Sequence, residues 1–445
     1  MIISICTLFP KLYTEFINTS LIRRAAQEGL VTFDITSLLS WCAPKERADG
    51  PTFGHEPGMV IRPEVIERAV RAQDGQHGLS YKIFFSPRGR KVTQTVIQEL
   101  YEQIQKVGGH VSFFPARYEG MDARVEEEYT SNMQGTTLSV GDMVLMGGDI
   151  PTQMVIEALL RYIPGVVGKK ESMVQDSFMG PFVDCPAYTA PVTWHGREVP
   201  QIIRSGDHRR IREWCTTVAV RDTVLRHFNW IRSYSMTEEE RTRAAQAIPP
   251  HYVALMHDQV LLPQGIVGTT SITSLDIHDI ARSSKTFGIR GFFIVTPLLD
   301  QQKIAQTLLQ FWREGSGTTY NPDRHAALAT TQVMENYEAV IATIEQQEGA
   351  RPLTIVTSAR PISGVTMLHY TDQEIAWSHK RPVLIILGTG HGLSPELCSR
   401  ADYAFHSLQG FSHFNHLSVR SAAAIILDRW LGIQAPLKAI PSDCA

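Results

Sequence analysis

The chain has 445 residues, is 43% hydrophobic and 20% charged, and carries a formal net charge of −3. That length calls for about two to four globular domains, and the composition excludes collagen-like, low-complexity and strongly basic nucleic-acid-coating chains. No apolar run is long enough to cross a bilayer, Met1-Ile-Ile-Ser-Ile-Cys6 reads as a strand and not as a signal peptide, and the six cysteines form no CxxC pair, so a disulfide framework or structural zinc site is not expected and a cytoplasmic protein is.

Residues 1–165 alternate strand and helix. Tyr81–Phe85 predicts a strand ending in the turn Ser86-Pro-Arg-Gly89, and the next helix places Val96, Ile97, Leu100, Ile104 and Val107 on one face. Val111–Phe114 and Met143–Met146 are continuous apolar runs, the pattern of strands covered on both faces. Pro151 suits the first position of a helix that turns Val155, Ile156, Leu159 and Leu160 inward. The polar stretch 166–179 reads as a linker.

Residues 180–247 give no strand signal and read as a small helical domain. Between Arg197 and Arg232 stand eight arginines (197, 204, 209, 210, 212, 221, 226 and 232) against four acids (198, 207, 213 and 222), a local excess of +4 without any lysine. Arginine suits forked contacts to phosphate, although a solvated helix face has the same composition. Ile248-Pro-Pro250 closes this segment. In 251–445 the α/β rhythm restarts with Tyr252–Met256, Gly291–Val295, Leu353–Thr357 before Ser358-Ala-Arg-Pro361, and Val383–Leu387 before Gly388-Thr-Gly-His-Gly392. Ser394-Pro395 opens a helix, and 418–431 is a mostly apolar last one. The two α/β halves rhyme, each with one strand ending in a Ser/Pro turn and a later one ending in clustered glycines.

Ser139–Thr152 compresses an apolar segment, a glycine turn and a helix start into fourteen residues. Such a turn exposes backbone N–H groups and allows a ligand close to the main chain. Its few charges fit an adenosine held by main-chain bonds better than a triphosphate, and no GxxxxGK[ST] motif is present. Arg161 and Asp176 flank it. A carboxylate there can act as general base and an arginine can stabilise developing charge, whereas an N-cap or salt bridge is the bland role for Asp176.

Taken with Leu8-Phe-Pro10, Pro57-Gly-Met59, Ser86-Pro-Arg-Gly-Arg-Lys91, Arg117-Tyr-Glu-Gly-Met-Asp122, Arg161-Tyr-Ile-Pro-Gly165 and Asp184-Cys-Pro-Ala-Tyr188, these segments resemble bacterial tRNA (guanine-N1)-methyltransferases of the TrmD type from residue 1 to about 245. The resemblance implies methylation of guanine N1 at tRNA position 37 from S-adenosyl-L-methionine, a trefoil-knotted α/β fold of the SPOUT superfamily, a homodimer that shares its active sites, and a magnesium requirement. It assigns Asp176 as base and Arg161 as the group that orients or polarises guanine. It places the cofactor against Ser86 and Pro87, against Ala116, Arg117, Tyr118 and Glu119, and against Ser139, Val140, Gly141, Asp142, Met143, Val144 and Leu145 with Gly147 and Gly148. The helical domain would grip the anticodon arm of tRNA; neither DNA nor a membrane is an expected partner. Two departures stand out. The family's Gly-Gly-Gly-Pro-Gly-Met is Gly54-His-Glu-Pro-Gly-Met59 here, and its glycine before Arg117 is Ala116.

Residues 251–445 resemble a second SPOUT family of RNA methyltransferases, through Asp276-Ile-His-Asp-Ile-Ala-Arg282, Tyr320-Asn-Pro322, Thr357-Ser-Ala359, Gly388-Thr-Gly390 with Gly392, and Asn415-His-Leu-Ser-Val-Arg420. The resemblance implies cofactor contacts at Thr357, Ser358, Gly388, Thr389, Gly390, Gly392, His416, Leu417 and Ser418. In the SpoU branch an arginine six residues after an asparagine serves ribose 2′-O methylation; Arg282 has that spacing, but Asp276 stands in the asparagine's place. A dinucleotide fingerprint is the rival for Gly388–Gly392, and Asp402 comes too early to be its ribose acid. His406, His413 and His416 read as loop residues and not as metal ligands. The expected architecture is two knotted α/β modules, 1–165 and 251–445, with the helical domain 180–247 between them. A rival of another class is a protein whose C-terminal module, or both modules, only bind RNA or cofactor.

Overall fold

A computed structural model describes residues 1–54, 58–167 and 176–438. The chain divides into two compact units, 1–179 and 180–445. His55, Glu56 and Pro57, which carry the first departure noted above, lie outside the described residues, as does most of the expected linker.

The first unit is built on a five-stranded sheet. Its strands are β1 (Ile2–Thr7), β2 (Thr32–Ser37), β3 (Tyr81–Lys91), β4 (His110–Phe114) and β5 (Gly135–Ser139), in the order β2-β1-β4-β3-β5, all parallel. Alternate strand residues face opposite sides. Ile5, Ile83 and Phe113 pack under α2 (Gln94–Lys106) and α4 (Asp149–Leu160). Cys6, Phe84 and Phe114 pack under α1 (Pro63–His77) and α3 (Ala123–Ser131). Helices on both faces explain why Ile83–Phe85 and Phe113–Phe114 are apolar without alternation.

Two predicted elements come out differently. Ser86–Gly89 is a bulge inside a longer β3, where Leu138 of β5 pairs with both Phe85 and Arg90. Met143–Met146 is no strand: it is loop, with Val144 100% and Met146 91% exposed. The real strand is β5, eight residues earlier at its start, where Leu138 alone is a large apolar residue in the core.

The second unit begins with a two-residue-per-strand hairpin, Thr193–Trp194 and Arg197–Glu198, inside the segment read as strandless. Three helices follow: α5 (His208–Arg226), α6 (Phe228–Ser233) and α7 (Glu238–Ala247). Its sheet contains β6 (His251–Met256), β7 (Gly291–Val295), β8 (Thr331–Met334), β9 (Leu353–Val356), β10 (Thr366–Leu368), β11 (Val383–Gly388) and β12 (Tyr403–Phe405), in the order β8-β7-β6-β11-β9-β12-β10, again all parallel. One face packs on α8 (Ser274–Thr286) and α9 (Val419–Leu431). Val220, Val224, Phe228, Ile231, Met236 and Ala244 of α5–α7 and their connections belong to that same core.

Two buried polar groups lock this packing. The ring of His251 is fully buried; its Nδ1 donates to the Pro249 carbonyl (2.6 Å), and its Nε2 accepts from the indole N–H groups of Trp377 (3.3 Å) and Trp430 (2.9 Å). Burial pushes its pKa down to about 4. Arg232, counted above with the basic face, is buried instead. It donates to the carbonyls of Asp428 (2.7 Å), Arg429 (2.7 Å) and Gly432 (2.8 Å) at the end of α9, where helix carbonyls lack internal partners and the dipole favours a cation. Arg197, Arg204, Arg209, Arg210, Arg212, Arg221 and Arg226 are exposed. Arg232→Ala therefore lowers the stability of this unit by about 3 kcal/mol, because three buried acceptors lose a charged donor. Arg232→Lys recovers only part, since one ammonium does not reproduce the planar fork. An unfolding free energy from urea titration within about 0.5 kcal/mol of wild type, the usual spread of neutral surface changes, would refute the capping role.

Candidate active sites

In the first unit the loops that follow β1, β3, β4 and β5 gather at the carboxyl edge of the sheet, the edge where open parallel sheets bind ligands. Asp149, fully buried at the start of α4, ties them together. It accepts from Thr7 Oγ1 (2.7 Å), Tyr13 OH (3.1 Å) and Arg117 Nε (2.8 Å). Burial and this carboxylate push the Tyr13 phenol well above its ordinary range. Arg117 also donates to the Met146 carbonyl (3.3 Å) and lies over the Phe9 ring.

The glycines next to Asp149 let two loops cross. Gly148 N–H donates to the Ala116 carbonyl (2.8 Å), and a Cβ on Gly148 would stand 2.9 Å from Pro115 Cα. A Cβ on Gly147 would stand 2.4 Å from Arg117 Cδ. Close backbone approach, not conformational freedom, is what requires glycine here. Val92 N–H donates to the Ser139 carbonyl, Lys91 pairs with Asp142 (3.1 Å), and Glu119 N–H donates to the Met59 carbonyl (3.1 Å). Thus the stretches 86–91, 116–119 and 139–148 form one cradle edge. Tyr118 and Glu119 are exposed on it, as are Pro87 and residues 142–146. The methyl of Ala116 is buried in the core with Phe84 and Phe114, so the second departure is absorbed by packing and its carbonyl still holds Gly148.

Arg161 directly follows α4, and its guanidinium pairs with the Asp176 carboxylate; the two side chains are 46% and 37% exposed. Residues 168–175 between them lie outside the described residues. The fold thus brings together two groups fifteen positions apart, in an arrangement open to an incoming ligand.

The second unit holds a cavity of about 670 Å³ at the carboxyl edge of its sheet, within the size range of small-molecule sites. Thr357, Ser358, Gly388, Thr389, Gly390, Gly392, His416, Leu417 and Ser418 all line it. Thr389 Oγ1 donates to the Met256 carbonyl (2.8 Å), and Asn415 Nδ2 donates to the Ala359 carbonyl (3.1 Å), which fastens the 415–418 loop to the 357–360 turn. Gly390, at φ 61°, passes so close to Leu261 that a Cβ would meet its carbonyl oxygen at 2.8 Å. Arg282 does not line the cavity and is exposed on α8. Asp276 and Arg420 line it instead, paired at 3.1 Å, and so does His257, whose burial pushes its pKa down to about 4. Arg420 ends the segment Asn415–Arg420, and nothing local in the sequence joins it to Asp276, 144 positions away.

Residues 1–233 match a family model described as tRNA (Guanine-1)-methyltransferase TrmD, and residues 250–432 match one described as SAM-dependent RNA methyltransferase. The chain is 35% identical over 438 residues to a tRNA (guanine-N(1)-)-methyltransferase of Nitratidesulfovibrio vulgaris, covering 96% of this chain and 99% of that one. A protein of the same name from Oleidesulfovibrio alaskensis is also 35% identical over the same shares. One from Bacillus licheniformis is 32% identical over 243 residues, which is 54% of this chain and 96% of the relative.

Proposed function

Because this chain belongs to the tRNA (guanine-N1)-methyltransferase family, we propose that its first unit methylates N1 of the guanine at tRNA position 37. The chain is a methyltransferase with a second S-adenosylmethionine-dependent RNA methyltransferase domain at 250–432. The observation that carries the residue-level reading is the pairing of Arg161 with Asp176 across fifteen positions.

S-adenosylmethionine supplies an electrophilic methyl group on a sulfonium. The main-chain groups of 139–148, with Ser86, Pro87 and the 116–119 turn, hold its adenosine. Asp176 accepts the N1 proton of guanine, and Arg161, paired with it, faces O6, where negative charge develops as N1 is deprotonated. The guanine leaves its stack to reach this position.

Further parts of the reading have separate support. The exposed Phe9, Leu12, Ile150, Met154 and 143–146 loop give the first unit an apolar surface next to the site, which a second copy of the chain would cover in a homodimer with shared active sites. The seven exposed arginines of 197–226 suit the phosphates of an anticodon arm. Both parallel sheets, with their crossing glycine loops, fit trefoil-knotted SPOUT modules. No helix of the described residues is long and apolar enough to cross a membrane; a cytoplasmic site of action follows from the tRNA substrate. Among the described residues no group of three or more His, Cys, Asp or Glu is placed to hold a metal ion.

The test is methyl transfer from labelled S-adenosylmethionine to a tRNA transcript with guanine at position 37 and to its adenine-37 variant, using a chain whose second site carries Asp276→Asn. Label confined to the guanine transcript is expected; equal label on both removes the assignment.

A further inference from the structure

The cavity of the second unit carries a carboxylate and a guanidinium placed for chemistry. Asp276 is the only carboxylate among the described residues that line it. Its side chain is 10% exposed; Oδ1 takes the Arg420 NH1 at 3.1 Å and Oδ2 the Thr273 hydroxyl at 2.6 Å. Arg420 reaches Asp279 as well (3.6 Å) and remains 38% exposed, so its guanidinium has donors left for a ligand. Each of the two residues lies in the first turn of its helix, Asp276 in α8 and Arg420 in α9, where the positive dipole end favours negative charge. The glycine turn 388–392 and the Thr357–Ser358 turn line the same cavity. His257 is neutral above about pH 4, with Nδ1 hydrogen-bonded to Thr270, and is a weak base there.

The first unit likewise pairs a guanidinium with a carboxylate, Arg161 with Asp176. From this we infer that the second unit methylates a ring nitrogen that bears a proton next to a carbonyl, as in guanine N1 or uracil N3 of an RNA, and that it does not methylate a ribose 2′-hydroxyl. The inference rests on the reading of 250–432 as an S-adenosylmethionine-dependent domain. A carboxylate is by its ordinary chemistry a modest base. It suits an imide-type N–H, whose charge on deprotonation spreads to the neighbouring carbonyl oxygen, where Arg420 can receive it. A ribose hydroxyl is a far weaker acid, and its alkoxide has no conjugated carbonyl oxygen through which the guanidinium could receive the charge. The step balances: the nitrogen–carbon bond forms as the sulfonium–methyl bond breaks, the bonding pair stays on sulfur as the thioether, and the ring proton passes to Asp276. Asp276 is then the catalytic base, and Arg282, on the exposed side of α8, takes no part.

The experiment uses the full chain with Asp176→Ala to silence the first site, labelled S-adenosylmethionine, and total RNA from cells depleted of this protein, followed by digestion to nucleosides. Label is expected in a base-methylated nucleoside. Adding Asp276→Asn should lower it by about 10²-fold or more, and Arg420→Lys should lower it with Asp276 intact. Label in alkali-resistant 2′-O-methyl products, label indifferent to Asp276→Asn and Arg420→Lys, or no label at all would each overturn the inference. Calorimetric binding of S-adenosylhomocysteine is measured on the same variants. Two equivalents per chain, kept in Asp276→Asn, show that the fold and cofactor site persist and leave the loss to chemistry. One equivalent per chain would remove both the inference and the cofactor-domain reading beneath it.

Discussion

Asp176→Asn lowers methyl transfer to guanine-37 transcripts by about 10²- to 10⁴-fold, the range a positioned general base supplies. Asparagine keeps the size of the side chain and an oxygen for Arg161, so the pair survives in shape and loses only its proton acceptor. The loss therefore falls on kcat. The KM for S-adenosylmethionine stays near wild type, because the described side-chain contact of Asp176 is with Arg161 and its carbonyl accepts from Met179, neither of them in the 86–91, 116–119 or 139–148 stretches. Steady-state kinetics with each substrate varied in turn separates these outcomes. A fall of less than tenfold, or a loss confined to cofactor KM, would deny Asp176 the role of base.

Acidification from pH 6.5 to pH 4 destabilises the second unit by roughly 3 kcal/mol through His251 alone. The histidine pKa is depressed from 6.5 to about 4 by complete burial, and each pK unit corresponds to about 1.4 kcal/mol. The unfolded chain takes up its proton near pH 6.5 and the folded chain does not. The stability is thus fully present above pH 6.5 and is lost as pH falls through the window to about 4. Protonation inside the fold would also put an N–H on the nitrogen that already accepts two indole N–H groups. His257, depressed for the same reason, adds to the effect in the same window. A carboxylate of this unit such as Glu338, held low by its hydrogen bond from Arg400, loses its contribution only at lower pH. Tryptophan fluorescence reports the right region, since of the seven tryptophans only Trp41 lies in the first unit. Urea midpoints at pH 7, 5.5 and 4 should fall steadily, and His251→Gln, which can still accept a hydrogen bond, should flatten the fall. An undiminished slope in that variant would place the proton uptake elsewhere.

Much of the architecture was legible because buried parallel strands leave a compact signal. Val383–Leu387 is apolar on every residue and Val111–Phe114 on all but Ser112, and both faces of both strands are in fact covered. The same signal misled at Met143–Met146, since a four-residue apolar run has one composition whether its own sheet or something else covers it. Charge counting likewise took in Arg232, whose partners are carbonyls about two hundred positions later. Arg282 fell to helix geometry. Six residues along α8 turn the side chain by about 240° from Asp276, so a spacing that matches in sequence leaves the two on different faces. The loops that line both sites were readable from glycines and small residues; the Asp276–Arg420 pair was not, because it forms only when two helix starts meet.

The shared core of α5–α7 with α8, α9 and the second sheet gives the arginine-bearing helices a dependence on concentration. A ligand that binds the folded second unit shifts its unfolding equilibrium by RT ln(1 + [L]/Kd), about 2.7 kcal/mol at a hundredfold excess over Kd. Helices that unfold with that core receive the same increment. Mass action at the C-terminal cavity therefore sets how often the exposed arginines of residues 197–226 are lost to unfolding, without any contact between those residues and the ligand.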